Sequence, residues 1–242
     1  MLVLLPTGEL QDAKTLAWTC QLLEKASVLV NFAVPTLEGS VDGKPVVWIG
    51  DADRTDEHVQ EWMKNEAAMA ALDRPIVLDR AIGVKGASYD GMLVPGGTEM
   101  EPLCQSNRCM DILTHMLAQD KVVGAVGGGL RVLVAHSEKQ QQRSQPFLQG
   151  RKICKFADAA AKTSGEMPDD PTVSLETKLR EIGAIFTPSE DGNVVVDGNL
   201  VTASSRGQVA VFSIKFVTAL DPQNVPQLTS PAGVLQAVAN IA

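Results

Sequence analysis

The stretch from Val122 to Ala135, VVGAVGGGLRVLVA, runs from a β-branched segment into three successive glycines and then into an apolar run with helical character. Three glycines at a strand-to-helix junction have three physical explanations: a phosphate cradle, a sharp elbow that displays a nucleophile, or such an elbow without its nucleophile. A dinucleotide cradle is disfavoured because the G-x-G-x-x-G spacing is absent. The nearest downstream acid, Glu138, opens a polar run rather than ending a second strand. The elbow remains, and it constrains the chain to an architecture in which parallel strands feed helices.

The rest of the chain agrees. Leu2 to Leu5 reads as a first strand, about Gln11 to Lys25 as a helix with Leu16, Cys20 and Leu23 on one face, and SVLVNFAVP as a second strand. YDGMLVPGG is a strand ending in a Pro-Gly-Gly turn, and CMDILTHMLAQD is a helix. HSEKQQQRSQ reads as a solvated loop and GRKICKF as a strand. TVSLETKLREIGAIF reads as a helix running into a strand, NVVVDGNLVTAS as a hairpin on Asp197-Gly198, and RGQVAVFSIKFVTAL as a closing helix. Residues 36–79 interrupt the alternation with a short strand, KPVVWI, and a helix, EHVQEWMKNEAAMAAL, and read as an insertion. Residues 221–242 read as a C-terminal extension carrying a docked helix. The expected fold is one α/β domain over residues 1–220, a flavodoxin-like three-layer sandwich with a mostly parallel sheet. Ligands of such sheets sit beyond the carboxyl ends of the strands, which selects the loops PTGE, PGGTE and Gly127-Gly128-Gly129.

Composition narrows the function classes. A formal charge of −8 over 242 residues leaves no basic face for nucleic acid or for anionic membranes. The opening apolar run stops at Pro6, too short for a membrane span. Cys20, Cys104, Cys109 and Cys154, with His58, His115 and His136, follow no metal-ligand spacing, so a reduced, cytoplasmic, metal-free and cofactor-free protein is expected.

YDGMLVPGG, KVVGAVGGG and VVVDGNLVTAS together resemble the ThiJ/PfpI superfamily, the class I glutamine amidotransferase-like fold. The resemblance runs from about residue 1 to 220, and its insertion and AALDRPIVLDRA are similar to the glyoxalase III-like branch. The glycine elbow resembles the glutamine amidotransferase-like class one domain-containing proteins. It implies a nucleophilic cysteine at the elbow, where this chain has Gly127. It implies a neighbouring histidine, found in part of the family, at Gly128. It also implies a helix-borne glutamate that falls on Thr15, counted back from Pro35. A glycine cannot attack a carbonyl, so catalytic residues are expected to be absent. The family's oxyanion donors fall on the N–H groups near Gly97 and Gly128, in a pocket completed by Gly96, Gly127 and Thr15.

The expected function is therefore that of a pseudoenzyme, a non-catalytic protein that binds a small anion through this vestigial pocket or acts by protein interaction. Alternatives are a glyoxalase III- or deglycase-type enzyme acting on small aldehydes through a relocated residue, and a structural oligomeric subunit. Glu9, Glu99 and Cys104 are the secondary candidates for a relocated role, with solvated carboxylates and an inert thiol as their bland reading. Superfamily members commonly form dimers or larger assemblies, so a homo-oligomer is expected.

Overall fold

The computed structural model describes residues 1–36, 46–78, 89–97, 99–141, 145–154, 171–188, 194–204 and 208–221. The expected C-terminal helix beyond residue 221 lies outside the described residues.

The chain opens with β1 (Leu2–Leu4), β2 (Gly8–Leu10), α1 (Ala13–Lys25) and β3 (Asn31–Val34). The inserted region contributes β4 (Val47–Ile49), α2 (Asp51–Arg54), α3 (Glu57–Met63), α4 (Glu66–Asp73) and β5 (Ile76–Val77). Then follow β6 (Gly91–Val94), α5 (Glu101–Gln105), α6 (Asn107–Ala118), β7 (Val122–Val126) and a 3-10 turn at Gly127–Gly129 that leads into α7 (Leu130–Gln141). The remainder is β8 (Lys152–Cys154), α8 (Pro171–Ile182), β9 (Ile185–Thr187), β10 (Val194–Asp197), β11 (Leu200–Ala203) and α9 (Val209–Leu220).

Seven strands form the central sheet in the order β10-β11-β7-β6-β1-β3-β5. Every pairing is parallel except β10 with β11, the hairpin turned by Gly198 at φ +58°. Alternation along each strand divides the core in two. Val3, Val122 and Val126 pack under α1, α9 and the inserted α3. Leu2, Leu4, Val123 and Ala125 pack under α6, α7 and α8. Gly124 shares the first face, and the Phe216 ring fills its place: a Cβ there would lie 2.6 Å from ring carbons.

The inserted region is tied to α1. Lys14 pairs with Asp56 at 2.7 Å, and Trp18 packs on the His58 ring at 4.2 Å between centroids. Its last strand, β5, joins the central sheet, and β4 pairs with β2 in a separate ribbon.

Three expectations are corrected. The polar run after Ala135 continues α7 to Gln141, and its first residues, His136 and Ser137, are buried. EHVQEWMKNEAAMAAL is two helices, because Asn65 breaks it and caps α4 by accepting from the Ala68 N–H at 3.0 Å. Strand β2 begins inside the PTGE stretch, at Gly8, so Glu9 is a strand residue. The GRKICKF strand forms as expected, as β8, and pairs with β9 in a two-stranded ribbon of its own.

Candidate functional site

Four neighbouring strands, β11, β7, β6 and β1, point their carboxyl ends at one place. β7 is buried at every residue and stays extended to Val126 (φ −122°, ψ 133°). The backbone then reverses at Gly127, φ +48°. That left-handed conformation costs a non-glycine residue roughly 1 kcal/mol, which glycine avoids.

The other two glycines answer to contact rather than torsion. A Cβ on Gly128 would lie 1.9 Å from the Gly97 carbonyl oxygen, and one on Gly129 would lie 2.3 Å from the Val94 carbonyl oxygen. The Pro-Gly-Gly turn after β6 is thus pressed onto the elbow, backbone against backbone. Gly127 itself has room: the nearest atom to an added Cβ is the Ser204 carbonyl oxygen at 3.6 Å.

The helix that faces the elbow brings a carboxylate that sequence reasoning missed. Asp12 caps α1 and is 2 % exposed. Its Oδ1 accepts from the Thr15 hydroxyl at 2.8 Å and from the Thr15 N–H at 3.4 Å, while Oδ2 accepts from the Gly96 N–H at 2.9 Å. A second buried carboxylate, Asp53 of α2, accepts from the Ala13 N–H at 2.9 Å. Both satisfy donors at the positive end of α1, where a carboxylate is favoured. Thr15 is therefore turned to Asp12 and fully buried. The signal available in the sequence was the aspartate just before an apolar-periodic run, a capping pattern; its bond to Gly96, 84 positions away, had no local signature.

Thr15, Gly96, Gly97, Gly127 and Gly128 are brought together, but the secondary candidates are not gathered with them. The Glu9 carboxylate lies against Gly50, where a Cβ would meet its Oε1 at 2.0 Å. Glu99 is exposed. Cys104 borders a different cleft of about 530 Å³ between α5, α7 and α8, with Arg131, Glu138 and Lys178 on its rim.

Every thiol is pushed up. Burial and the Glu24 charge raise Cys20. Burial raises Cys109 and Cys154 each to about 12. Burial and Glu101 raise Cys104 to about 11, against the opposing pull of Arg131 and Lys178. Such thiols are protonated at neutral pH, the reverse of an activated nucleophile. Burial, helped by Lys139, lowers His136 to about 4, and its Nε2 lies 2.9 Å from the Thr114 hydroxyl in the α6–α7 contact. Among the described residues no group of three or more His, Cys, Asp or Glu side chains is arranged to hold a metal ion, and no helix is long and apolar enough to cross a membrane.

A doubly wound sheet with a left-handed glycine elbow and an apposed Pro-Gly-Gly turn defines an α/β protein of the class built around a displayed elbow residue. The DJ-1/PfpI family model matches residues 59–219, and the chain belongs to that family. It is 29% identical over 168 residues to a glutamine amidotransferase-like class 1 domain-containing protein 1 of Danio rerio, covering 67% of this chain and 72% of that protein. In structure it is similar to glyoxalase III from Candida albicans, with TM-score 0.68, 17% identity, and coverage of 92% of this chain and 97% of that one. It is also similar to DJ-1beta of Drosophila melanogaster, with TM-score 0.58, 16% identity, and coverage of 99% and 95%. These likenesses fix the fold, a mostly parallel flavodoxin-like sandwich.

Proposed function

We propose that this chain is a non-catalytic member of the DJ-1/PfpI family that acts by binding rather than by covalent chemistry. One observation carries the reading: the elbow residue is Gly127, at φ +48°, while all four thiols lie elsewhere with raised pKa values. Without a thiolate, or a base within reach of one, the elbow offers only dipoles and hydrogen-bond donors, which stabilise charge but form no bond to substrate.

Two modes of binding follow from the pocket. The N–H groups of Gly97 and Gly128 are the donors that would hold a small anion at the head of α7. Against this, the Asp12 carboxylate has taken the Gly96 N–H and adds a buried negative charge beside it. The Gly97 carbonyl oxygen also closes over Gly128. These groups repel an anion, so protein contact, including self-association, is the better supported mode.

The competing reading is an aldehyde-processing enzyme of the kind named by the glyoxalase III neighbour, with a relocated residue. Asp12 alone favours it, because a buried carboxylate at the elbow can serve as a base. The purified chain is assayed with methylglyoxal before and after all accessible thiols are blocked, beside the Asp12→Asn variant. No turnover in any of the three is expected. Turnover that survives blocking but disappears in Asp12→Asn refutes the non-catalytic reading and installs Asp12 as the relocated group.

A further inference from the structure

The cleft between α5, α7 and α8 encloses about 530 Å³, within the range of about 300–1,000 Å³ that small-molecule sites occupy. Helical spacing sets out its floor and its ends. Arg131, Val134, Ala135 and Glu138 line it from α7 at i, i+3, i+4 and i+7, so they share one face of that helix. Arg131 stands at the start of the face and Glu138 two turns on, about 10 Å along the axis, with the two apolar residues between them. On α8, Leu175 and Lys178 line the cleft one turn apart, and Lys178 reaches Glu138 at 3.4 Å, which ties the two helices together at the far end.

The charges on this lining are unequal. Among the described residues they are three cations, Arg131, Lys139 and Lys178, and two carboxylates, Glu101 and Glu138, in a chain whose formal charge is −8. Both carboxylates are engaged: Glu138 with Lys178, and Glu101 as acceptor from Gln105 Nε2 at 2.9 Å. Lys139 donates to a neutral group, the Asn107 amide oxygen, at 3.4 Å. Arg131 also interacts within the chain, and its planar fork of five donors can serve a further acceptor. The lining therefore carries an excess of positive charge, the reverse of the molecule as a whole. Cys104 shows that these side chains converge. Burial raises its thiol, Glu101 and Glu138 raise it further, and Arg131 and Lys178 lower it, so four charges from three helices act on one sulfur at the cleft.

We infer that this cleft binds a small organic carboxylate with a short apolar body, the carboxylate on Arg131 and the body over Val134, Ala135 and Leu175. Each part of such a molecule meets its complement. A guanidinium takes a carboxylate through two parallel charge-assisted hydrogen bonds, and the floor removes the body from water. An amine of the same shape sits among three cations. A neutral amide fits the floor and forgoes the ionic bonds at Arg131. The site goes beyond the reading of the elbow and does not depend on it.

Cys104 makes the site readable, because it is half-buried while the other three thiols are buried. The full chain is alkylated with iodoacetamide in the presence of isovalerate, isovaleramide or isoamylamine, at constant ionic strength balanced with chloride, and the extent of reaction at Cys104 is followed by mass spectrometry. Thermal shift with the same probes reads binding without the thiol. Expected are saturable protection of Cys104 and a rise in Tm with isovalerate, and neither with the amide or the amine at the same concentration. Arg131→Gln weakens the isovalerate effect about tenfold, the worth of a hydrogen bond between charged groups. Should that variant fail to fold, Arg131→Lys, which keeps the charge without the fork, is expected to weaken it in the same direction. A response to isovalerate absent from both readouts, or no greater than the response to isovaleramide or isoamylamine, overturns the inference. Binding that the Arg131 variants leave unchanged overturns it too.

Discussion

Asp12 supports a sharp prediction because its described contacts are buried and separable. Replacing it with alanine removes the α1 cap, worth about 1 kcal/mol. It also strips the Gly96 N–H of its charged acceptor at 2.9 Å, about 2 kcal/mol for a buried donor left unpaired, and frees the Thr15 hydroxyl, about 1 kcal/mol more. Relief of the desolvation borne by a buried carboxylate offsets part of this, so a net loss of about 3 kcal/mol is expected. For a chain of this size that is a fall in Tm of roughly 6–12 °C. Asp12→Asn keeps the cap and the Thr15 contact through Oδ1 but turns either an N–H₂ group or nothing toward Gly96, so about half the loss is expected. Urea unfolding followed by circular dichroism measures both, with the denaturant slope unchanged if the folded state keeps its compactness. An alanine variant within about 1 kcal/mol of the parent would show that Asp12 does not hold the Pro-Gly-Gly turn, and the account of the elbow as a self-filled site would be lost with it.

His136 sets a pH dependence. Its ordinary value of 6.5 is lowered to about 4 in the fold, so between those values the unfolded chain binds the proton that the folded one refuses. Stability from this group is complete above about pH 6.5 and falls as the pH drops toward 4, by up to about 3 kcal/mol; urea midpoints at pH 7 and 5 should differ less in His136→Gln than in the parent. At the elbow the order of tolerance is set by the atoms each Cβ would meet. Gly128→Ala drives a methyl into the Gly97 carbonyl and is expected to cost about 3 kcal/mol or more, whereas Gly127→Cys meets only the positive-φ strain of about 1–2 kcal/mol. Thermal melts rank the two variants, and a Gly128→Ala protein as stable as Gly127→Cys contradicts the packing described.

What was legible in the sequence was local. The glycine elbow and the Asp197-Gly198 hairpin are set by the positive φ of Gly127 and Gly198, and each stands where its residues announce it. The strands read correctly because a doubly covered parallel sheet makes them continuously apolar. Failures came where a distant part of the chain decided the outcome. The polar run after Ala135 has a loop composition, yet α6 and α7 pack so that His136 meets Thr114 and the helix is retained to Gln141. GRKICKF reads as a strand and is one; its placement is the part with no local signal, since Arg151 beside it binds Asp197 and Asn199, at 2.7 and 3.0 Å, and anchors β8 across the β10–β11 hairpin. Asp12 was visible as a cap and invisible as a clasp. Position 15 drew attention through the family pattern, and the carboxylate was three residues earlier.

The three glycines that opened the question turn out to have separate causes, and this bears on what the elbow means. Gly128 and Gly129 are required by the carbonyl oxygens of Gly97 and Val94, which belong to the strand-and-turn framework. Those contacts hold the turn whatever residue stands at its apex, so the persistence of the bend is a property of the sheet's packing and carries no implication of chemistry. Gly127 is different: its surroundings would admit a side chain, and only its torsion discourages one. An enzyme bears that strain because the displayed atom reacts. With no atom to display, glycine gives the same bend without the strain, and the neighbouring donor at Gly96 is free to be taken by the chain's own Asp12. The fold thus keeps the bend of the elbow while the Gly96 donor beside it is satisfied from within, by the chain's own Asp12.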